Sequence, residues 1–203
     1  MSPESSPNEV SLNKTSIGKN GIKLHARLIE ERDIDIIVQI VNWAYRGKGD
    51  IETWTTEKGL VTGPRLTEAM LKEDLAKSEK VMRLMLLEHI ITDGANEKRH
   101  VVGCVKIDRE TEESPDAVLG MLSVDPEYQG KGVGGVLVKL AESEMRNWKN
   151  CKESHLHVVN CRDELLSWYR SIGYESTSQT FPFIVKDNTA LKDIHFVLLI
   201  KKL

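Results

Sequence analysis

Apolar positions along the chain recur with two periods. In "IKLHARLI" (Ile22 to Ile29) apolar and polar residues alternate, which predicts a half-buried strand. Directly after it, Ile34, Ile37, Val38, Val41 and Tyr45 return at helical spacing through "DIDIIVQIVNWAYR", predicting an amphipathic helix. The segment "GKGDIETWTTEKGLVTG" (Gly47 to Gly63) keeps no period, and Pro64 opens a second helix running to about Lys77. Loops of that length in a compact domain are often functional. Three strand-like runs follow: "VMRLMLLEHIIT" (Val81 to Thr92), "HVVGCVKIDR" (His100 to Arg109) and "DAVLGMLSVD" (Asp116 to Asp125). The turn-like segments "DGANEKR" and "ETEESP" between them favour an antiparallel meander.

Farther on, Val133, Leu137, Leu140, Ala141, Met145 and Trp148 form one apolar helical stripe, interrupted by Glu144. "ESHLHVVN" is a strand. "RDELLSWYRSIG" carries Leu165, Trp168, Tyr169 and Ile172 on one helical face and stops at Gly173, as a left-handed C-terminal cap does. Strands near "YESTSQT" and "HFVLLIKKL" end the chain. The polar start "MSPESSPNEVSLNKTSIGKNG" predicts a disordered tail over residues 1–21, ahead of one domain over residues 22–203. No internal repeat breaks that domain.

Composition narrows the function classes. The 203 residues suit one ordinary core, and 28 basic against 31 acidic side chains create no field that would draw nucleic acid or an anionic membrane. Cys104, Cys151 and Cys161 are odd in number and lack a CxxC pair, so they read as reduced thiols of a cytoplasmic protein. No stretch reaches the ~18 apolar residues of a membrane span, and the tail lacks the apolar centre of a signal peptide.

The chemistry centres on "LSVDPEYQGKGVGGVLVKLAE" (Leu122 to Glu142), where Gly130, Gly132, Gly134 and Gly135 fall within six residues at the start of a helix. Gly130, Gly132 and Gly135 have the G-x-G-x-x-G spacing of a dinucleotide loop. That motif begins directly off its strand and is followed by a strand ending in Asp or Glu, whereas here "DPEYQ" intervenes and the next strand ends at Asn160. A Walker loop fails because Lys131 is followed by Gly132. A merely flexible turn leaves the entropic cost of four glycines unexplained. Bare amides at a helix N-terminus, with room for close approach, suit a diphosphate.

The run from Val124 to Gly134 resembles the acyl-CoA loop of the GNAT superfamily of N-acyltransferases: Gln or Arg, two residues, Gly, one residue, then Gly or Ala. "RDELLSWYRSIGY" (Arg162 to Tyr174) is similar to a second signature of that family. The resemblance implies a mixed α+β fold, with a mostly antiparallel central sheet of about seven strands, helices on both faces, and acyl-CoA entering between the fourth and fifth family strands. It implies a cofactor site formed by Leu122, Ser123 and Val124 on the strand and by Gln129, Gly130, Lys131, Gly132, Val133, Gly134 and Gly135 in the loop. Arg162 stands where many members carry Asn, and is expected to pair with a CoA phosphate or with Asp163 or Glu164. The expected co-substrate is acetyl-CoA, with no metal.

Transfer to an amine needs a deprotonated nucleophile, a stabilised oxyanion and a proton for the departing thiolate. A main-chain N–H near Leu122 is expected at the oxyanion, and the resemblance places Tyr169 as general acid, although Tyr169 also fits the apolar stripe. Glu57 and Glu88 are candidate bases; each also reads as a solvated carboxylate. Trp54 and Arg65 either line an acceptor pocket or anchor the loop. His155 and His157 have no third ligand at a metal-binding spacing. Cys104 reads as buried and inert, which favours direct attack in a ternary complex over an acyl-enzyme. The resulting expectation is an N-acetyltransferase acting on a primary amine, small molecule or peptide, as a monomer or homodimer. A non-catalytic CoA-binding or scaffolding module with the same fold is the alternative.

Overall fold

The computed structural model describes residues 10–51, 53–184 and 188–203. Strand pairing begins before the first predicted strand: β1 (Thr15–Ile17) lies antiparallel to β2 (Lys23–Leu28), with Thr15 opposite His25. The tail expected over residues 1–21 is therefore folded from residue 10 onward, and Val10 is buried in the core. Residues 1–9 lie outside the described residues.

Helix α1 (Ile34–Arg46) buries Ile34, Ile37, Ile40, Val41 and Ala44 and ends at Gly47, whose φ of +99° suits glycine. A short strand β3 (Val61–Thr62) precedes α2 (Glu68–Leu75). The second helix begins later than Pro64 because Thr67 caps it, its hydroxyl accepting the Met70 amide at 3.3 Å. The meander is β4 (Met82–Asp93), β5 (Asn96–Asp108) and β6 (Asp116–Val124). Between β4 and β5 the expected seven-residue connection contracts to Gly94 and Ala95, since both strands run on into the polar segment. Then come α3 (Val133–Arg146), β7 (Glu153–Val159), α4 (Asp163–Ser171), β8 (Glu175–Pro182), β9 (Thr189–Ala190) and β10 (His195–Lys202).

Eight strands form one sheet in the order β1-β2-β4-β5-β6-β7-β10-β8, antiparallel everywhere except between β6 and β7. β3 and β9 make a separate two-stranded ribbon. The unbroken apolar run of β4 has a reason: helices cover both faces. Met85 and Leu87 pack with the stripe of α3, while Leu84 and Leu86 pack with Ile37 and Val41 of α1 and Leu71 of α2. Glu144, the break in the α3 stripe, is buried and paired with Arg83.

Two irregularities in the sheet position the site. β6 and β7 pair only from Asp116–Val118 against Glu153–His155 and diverge beyond. On its other edge β6 carries a bulge: Cys104 faces Ser123 and Lys106 faces Gly120, so Met121 and Leu122 together oppose the single Val105. Met121 sits there at φ +51°, a left-handed conformation that costs a non-glycine residue ~1–2 kcal/mol.

Candidate active site

The divergence of β6 from β7 opens two cavities that share one wall. On one side is a space of about 480 Å³ lined by the α3 N-terminus and the outer half of β6. On the other is a space of about 90 Å³ lined by β6, β7 and the loop after α1. Tyr45, Leu122, Leu165 and Tyr169 line both, so they stand at the passage between them.

In the larger cavity the four glycines have different tasks. Gly130 (φ +75°) and Gly132 (φ +83°) turn the chain into α3 through left-handed conformations. Gly134 and Gly135 lie in the first turn of the helix at ordinary dihedrals and face the cavity with bare backbone. The segment thus presents amides at a positive helix end. Val124 and Leu122 line the same wall from β6. The side chains of Ser123, Lys131 and Val133 do not line it: Ser123 and Val133 are buried, and Lys131 Nζ lies 4.7 Å from the centroid of the Tyr128 ring. Gln129 lines it while also bracing the loop after α1, its Oε1 accepting the Trp54 amide at 3.0 Å and its Nε2 donating to the Val124 carbonyl at 3.3 Å.

At Trp54 the structure favours the loop-anchoring alternative over an acceptor-pocket wall, and at Arg162 it departs from both expected partners. Trp54 lies on the larger cavity and not on the smaller, because the loop folds back over α4 and sets the Trp54 ring edge-on to Trp168 at 5.7 Å. Arg162 reaches neither a phosphate cradle nor Asp163 or Glu164. Its guanidinium donates to the carbonyls of Trp54 (2.7 Å), Thr55 (3.1 Å) and Thr56 (2.6 Å), because the residue ahead of α4 faces the loop and not the α3 N-terminus.

Tyr169 is 5% exposed, and its ring lies 4.8 Å from that of Trp168 and 5.7 Å from that of Tyr174. Burial pushes its hydroxyl well above the ordinary tyrosine range, so it stays protonated at neutral pH. Tyr45 donates to the Leu122 carbonyl at 3.2 Å, which fixes the bulge from the α1 side. Glu57 is buried and lines the smaller cavity, so the solvated-carboxylate reading fails; Arg46 Nη1 binds its Oε2 at 2.6 Å. Arg65 lines the same cavity, with Cζ 5.0 Å from the centroid of the Tyr45 ring. Glu88 is also buried but belongs elsewhere, paired with Arg27 at 2.8 Å and lining neither cavity.

Burial pushes the Cys104 thiol up to about 12, in accord with an inert core cysteine. Among the described residues no group of three His, Cys, Asp or Glu side chains is arranged to hold a metal, and no helix is long and apolar enough to cross a membrane. His155 faces Asp116 and Glu153, whereas His157 lines the smaller cavity beside Phe181 and Phe196. Several lining residues had given no sign in the sequence. Lys19, at the mouth of the larger cavity, lay in the expected tail, and its Cγ is 3.0 Å from where a Cβ on Gly132 would stand. Tyr45 looked like one more stripe residue, although a tyrosine in the last turn of an amphipathic helix can place its polar tip beyond the core.

Comparison with known proteins agrees with this geometry. The acetyltransferase (GNAT) family model matches residues 61–174. No curated protein matches the sequence. Similar solved structures include the GNAT domain of S. lividans PAT, with TM-score 0.64, 15% identity, and coverage of 94% of this chain and 96% of that one. They also include the PaiA N-acetyltransferase from Thermoplasma acidophilum in complex with coenzyme A, with TM-score 0.59, 18% identity, and coverage of 89% and 99%. A third is the spermidine N-acetyltransferase from Vibrio cholerae in complex with CoA and spermine, with TM-score 0.60, 15% identity, and coverage of 88% and 95%. Likeness at such identities is one of fold. The family match itself runs through the bulged strand, the glycine turn and Tyr169, and takes in more than half of the sequence; the chain belongs to the GNAT acetyltransferase family.

Proposed function

We propose that the protein is an N-acetyltransferase that moves an acetyl group from acetyl-CoA to a primary amine by direct attack in a ternary complex. The observation that carries this reading is the meeting of two unequal cavities at Tyr45, Leu122 and Tyr169, one fitted to a long anionic donor and one to a small acceptor. The larger cavity fits CoA in kind: a glycine-rich helix N-terminus for the diphosphate, Lys19 at its mouth, and an apolar flank from Val124, Leu165 and Trp168.

In the transfer, the acceptor nitrogen forms a bond to the thioester carbonyl carbon, the C–S bond breaks, the amine loses a proton and the thiolate gains one. The bulged residues Met121 and Leu122 line the smaller cavity, and a main-chain amide there is the donor for the developing oxyanion. Tyr169 supplies the thiolate with its proton. The burial that keeps this phenol neutral also raises the proton affinity of a thiolate beside it. Glu57, held by Arg46 through one oxygen, is the carboxylate on the acceptor side and takes the amine proton directly or through water. The high thiol pKa of Cys104 disfavours an acyl-enzyme. The free thiols accord with a cytoplasmic protein.

The test is acetyl-CoA binding by thermal shift, together with CoA-thiol release across classes of primary amine. Stabilisation with amine-dependent release supports acetyl transfer. Stabilisation without release from any class identifies a CoA-binding module and overturns it.

A further inference from the structure

The charges on the acceptor side do not balance. Among the described residues, Arg46, Arg65, Arg162 and Glu57 line the smaller cavity. Glu57 and Arg46 neutralise one another at 2.6 Å, and Arg46 also donates to the Gly63 carbonyl and to Asn188 Oδ1. Arg162 directs its donors at three carbonyls and has no carboxylate partner among the described residues. Arg65 makes neither an ion pair nor a side-chain hydrogen bond among the described residues; its guanidinium lies over the Tyr45 ring. Two guanidinium charges thus face a cavity whose only described carboxylate is already paired. His157, the other titratable base on this wall, is pushed toward its neutral form by burial and does not alter the sign.

An acceptor of purely cationic character would add like charge where two cations have no carboxylate partner among the described residues, whereas an acid group would offset that charge. Arg65 is suited to this task, because a guanidinium presents a planar fork to a carboxylate and its ring contact holds it in place. Its position on Tyr45 also sets a distance. Tyr45 lines the passage on one side and carries Arg65 on its ring, so an anion at Arg65 lies one short molecule away from the transfer point.

The loop after α1 is also tied to residues 188–191, beside the cavity. Val61 pairs with Ala190 and Thr62 with Thr189, Asn188 Nδ2 donates to the Pro64 carbonyl at 3.0 Å, and Leu191 donates to the Leu60 carbonyl at 2.8 Å. Asn188, held in this way, is part of the cavity wall, and the space of about 90 Å³ suits a small acceptor.

We propose that the acceptor is a small amino-carboxylate, an amino acid or close relative, bound with its acid at Arg65 and its amine at the Tyr45–Leu122–Tyr169 passage. This rests on the acetyl-transfer reading above and adds the acceptor class to it. The test measures CoA-thiol release at saturating acetyl-CoA from the intact protein, using free amino acids, the carboxamide of each, and diamines. The best amino acid is expected to exceed its own carboxamide at least tenfold in kcat/KM and to exceed every diamine. Arg65→Gln is expected to narrow the acid-to-amide ratio to about threefold or less, mainly through KM for the acid, and Arg65→Lys to restore part of it. Turnover of carboxamides or diamines as readily as of acids overturns the acceptor class and leaves acetyl transfer standing. An acid-to-amide ratio unchanged in a folded Arg65→Gln protein overturns Arg65 as the acid's partner. If that variant does not fold, the wild-type comparison of acid with amide still decides the class. Absence of release from every amine, with acetyl-CoA bound, overturns both readings.

Discussion

Replacing Arg162 with alanine removes three hydrogen bonds that one guanidinium makes to consecutive carbonyls at 2.6–3.1 Å. Hydrogen bonds to a charged group are worth ~1.5–3 kcal/mol each when buried, but the freed carbonyls here regain water: the Trp54 contact is exposed and the others are part-buried. The net loss expected is ~2–3 kcal/mol, which for a chain of this length lowers the melting temperature by ~4–12 °C. The loss is local to residues 53–57, which carry Trp54 over the larger cavity and Glu57 into the smaller. Differential scanning fluorimetry is expected to show the shift. Limited proteolysis should cut the variant in this loop, and KM for the amine should rise. Acetyl-CoA affinity, measured by calorimetry at low and high salt, is expected to fall little, and by the same factor at both. An unchanged melting temperature with a loss of CoA affinity concentrated at low salt would refute the reasoning, because it would mean that the guanidinium serves a phosphate and not the loop.

Three further outcomes follow from the same geometry. Tyr169→Phe is expected to lower kcat by ~10²–10⁴ while sparing acetyl-CoA affinity, as loss of a general acid does. Because burial raises its pKa and the protonated form is the active one, wild-type kcat should show no decline assignable to Tyr169 below its ordinary value of about 10; a falling limb near pH 8 that vanishes in the Phe variant would contradict this. Gly132→Val places a β-branched residue at φ +83° with its Cβ 3.0 Å from Lys19 Cγ, and calorimetry should find CoA binding weakened at least tenfold, ~1.4 kcal/mol. At pH 8, a maleimide should label exposed Cys161 rapidly and leave Cys104 unlabelled until the protein unfolds, and Cys104→Ala should retain turnover; an acetylated Cys104 in the mass spectrum would sink direct attack.

Much of the framework was legible because its signals are long or compositional. The stripe of α3, the strand β4 with apolar residues toward both faces, and four glycines ahead of a helix each carry information over many residues. What escaped notice was short or depended on reach. β1 is three residues of edge strand with two exposed positions, and β3 and β9 are two residues each, too brief for any period to register. Met121 gives no sign of a left-handed φ, since that conformation is imposed by pairing with β5 and not by the side chain. Arg162 spans more than a hundred residues of sequence to find its carbonyls. Glu57 looked solvated because neither the ribbon above it nor the pairing with Arg46 is written in its neighbours.

The divergence of β6 from β7 has a further meaning for the chain as a β-protein. Beyond Val118 and His155 the two strands present backbone edges to one another across a gap, so the sheet has edges in its middle as well as at its rim. An open edge on the surface is a template for association with a foreign strand, and proteins commonly blunt it with charge, proline or a bulge. Here the inner edge of β6 is overhung by Tyr45 from α1 and by Leu165 and Tyr169 from α4, and β6 itself is kinked at Met121. These side chains and the kink stand where a foreign strand would have to pair, so the gap proposed for acyl transfer is at the same time guarded against aggregation.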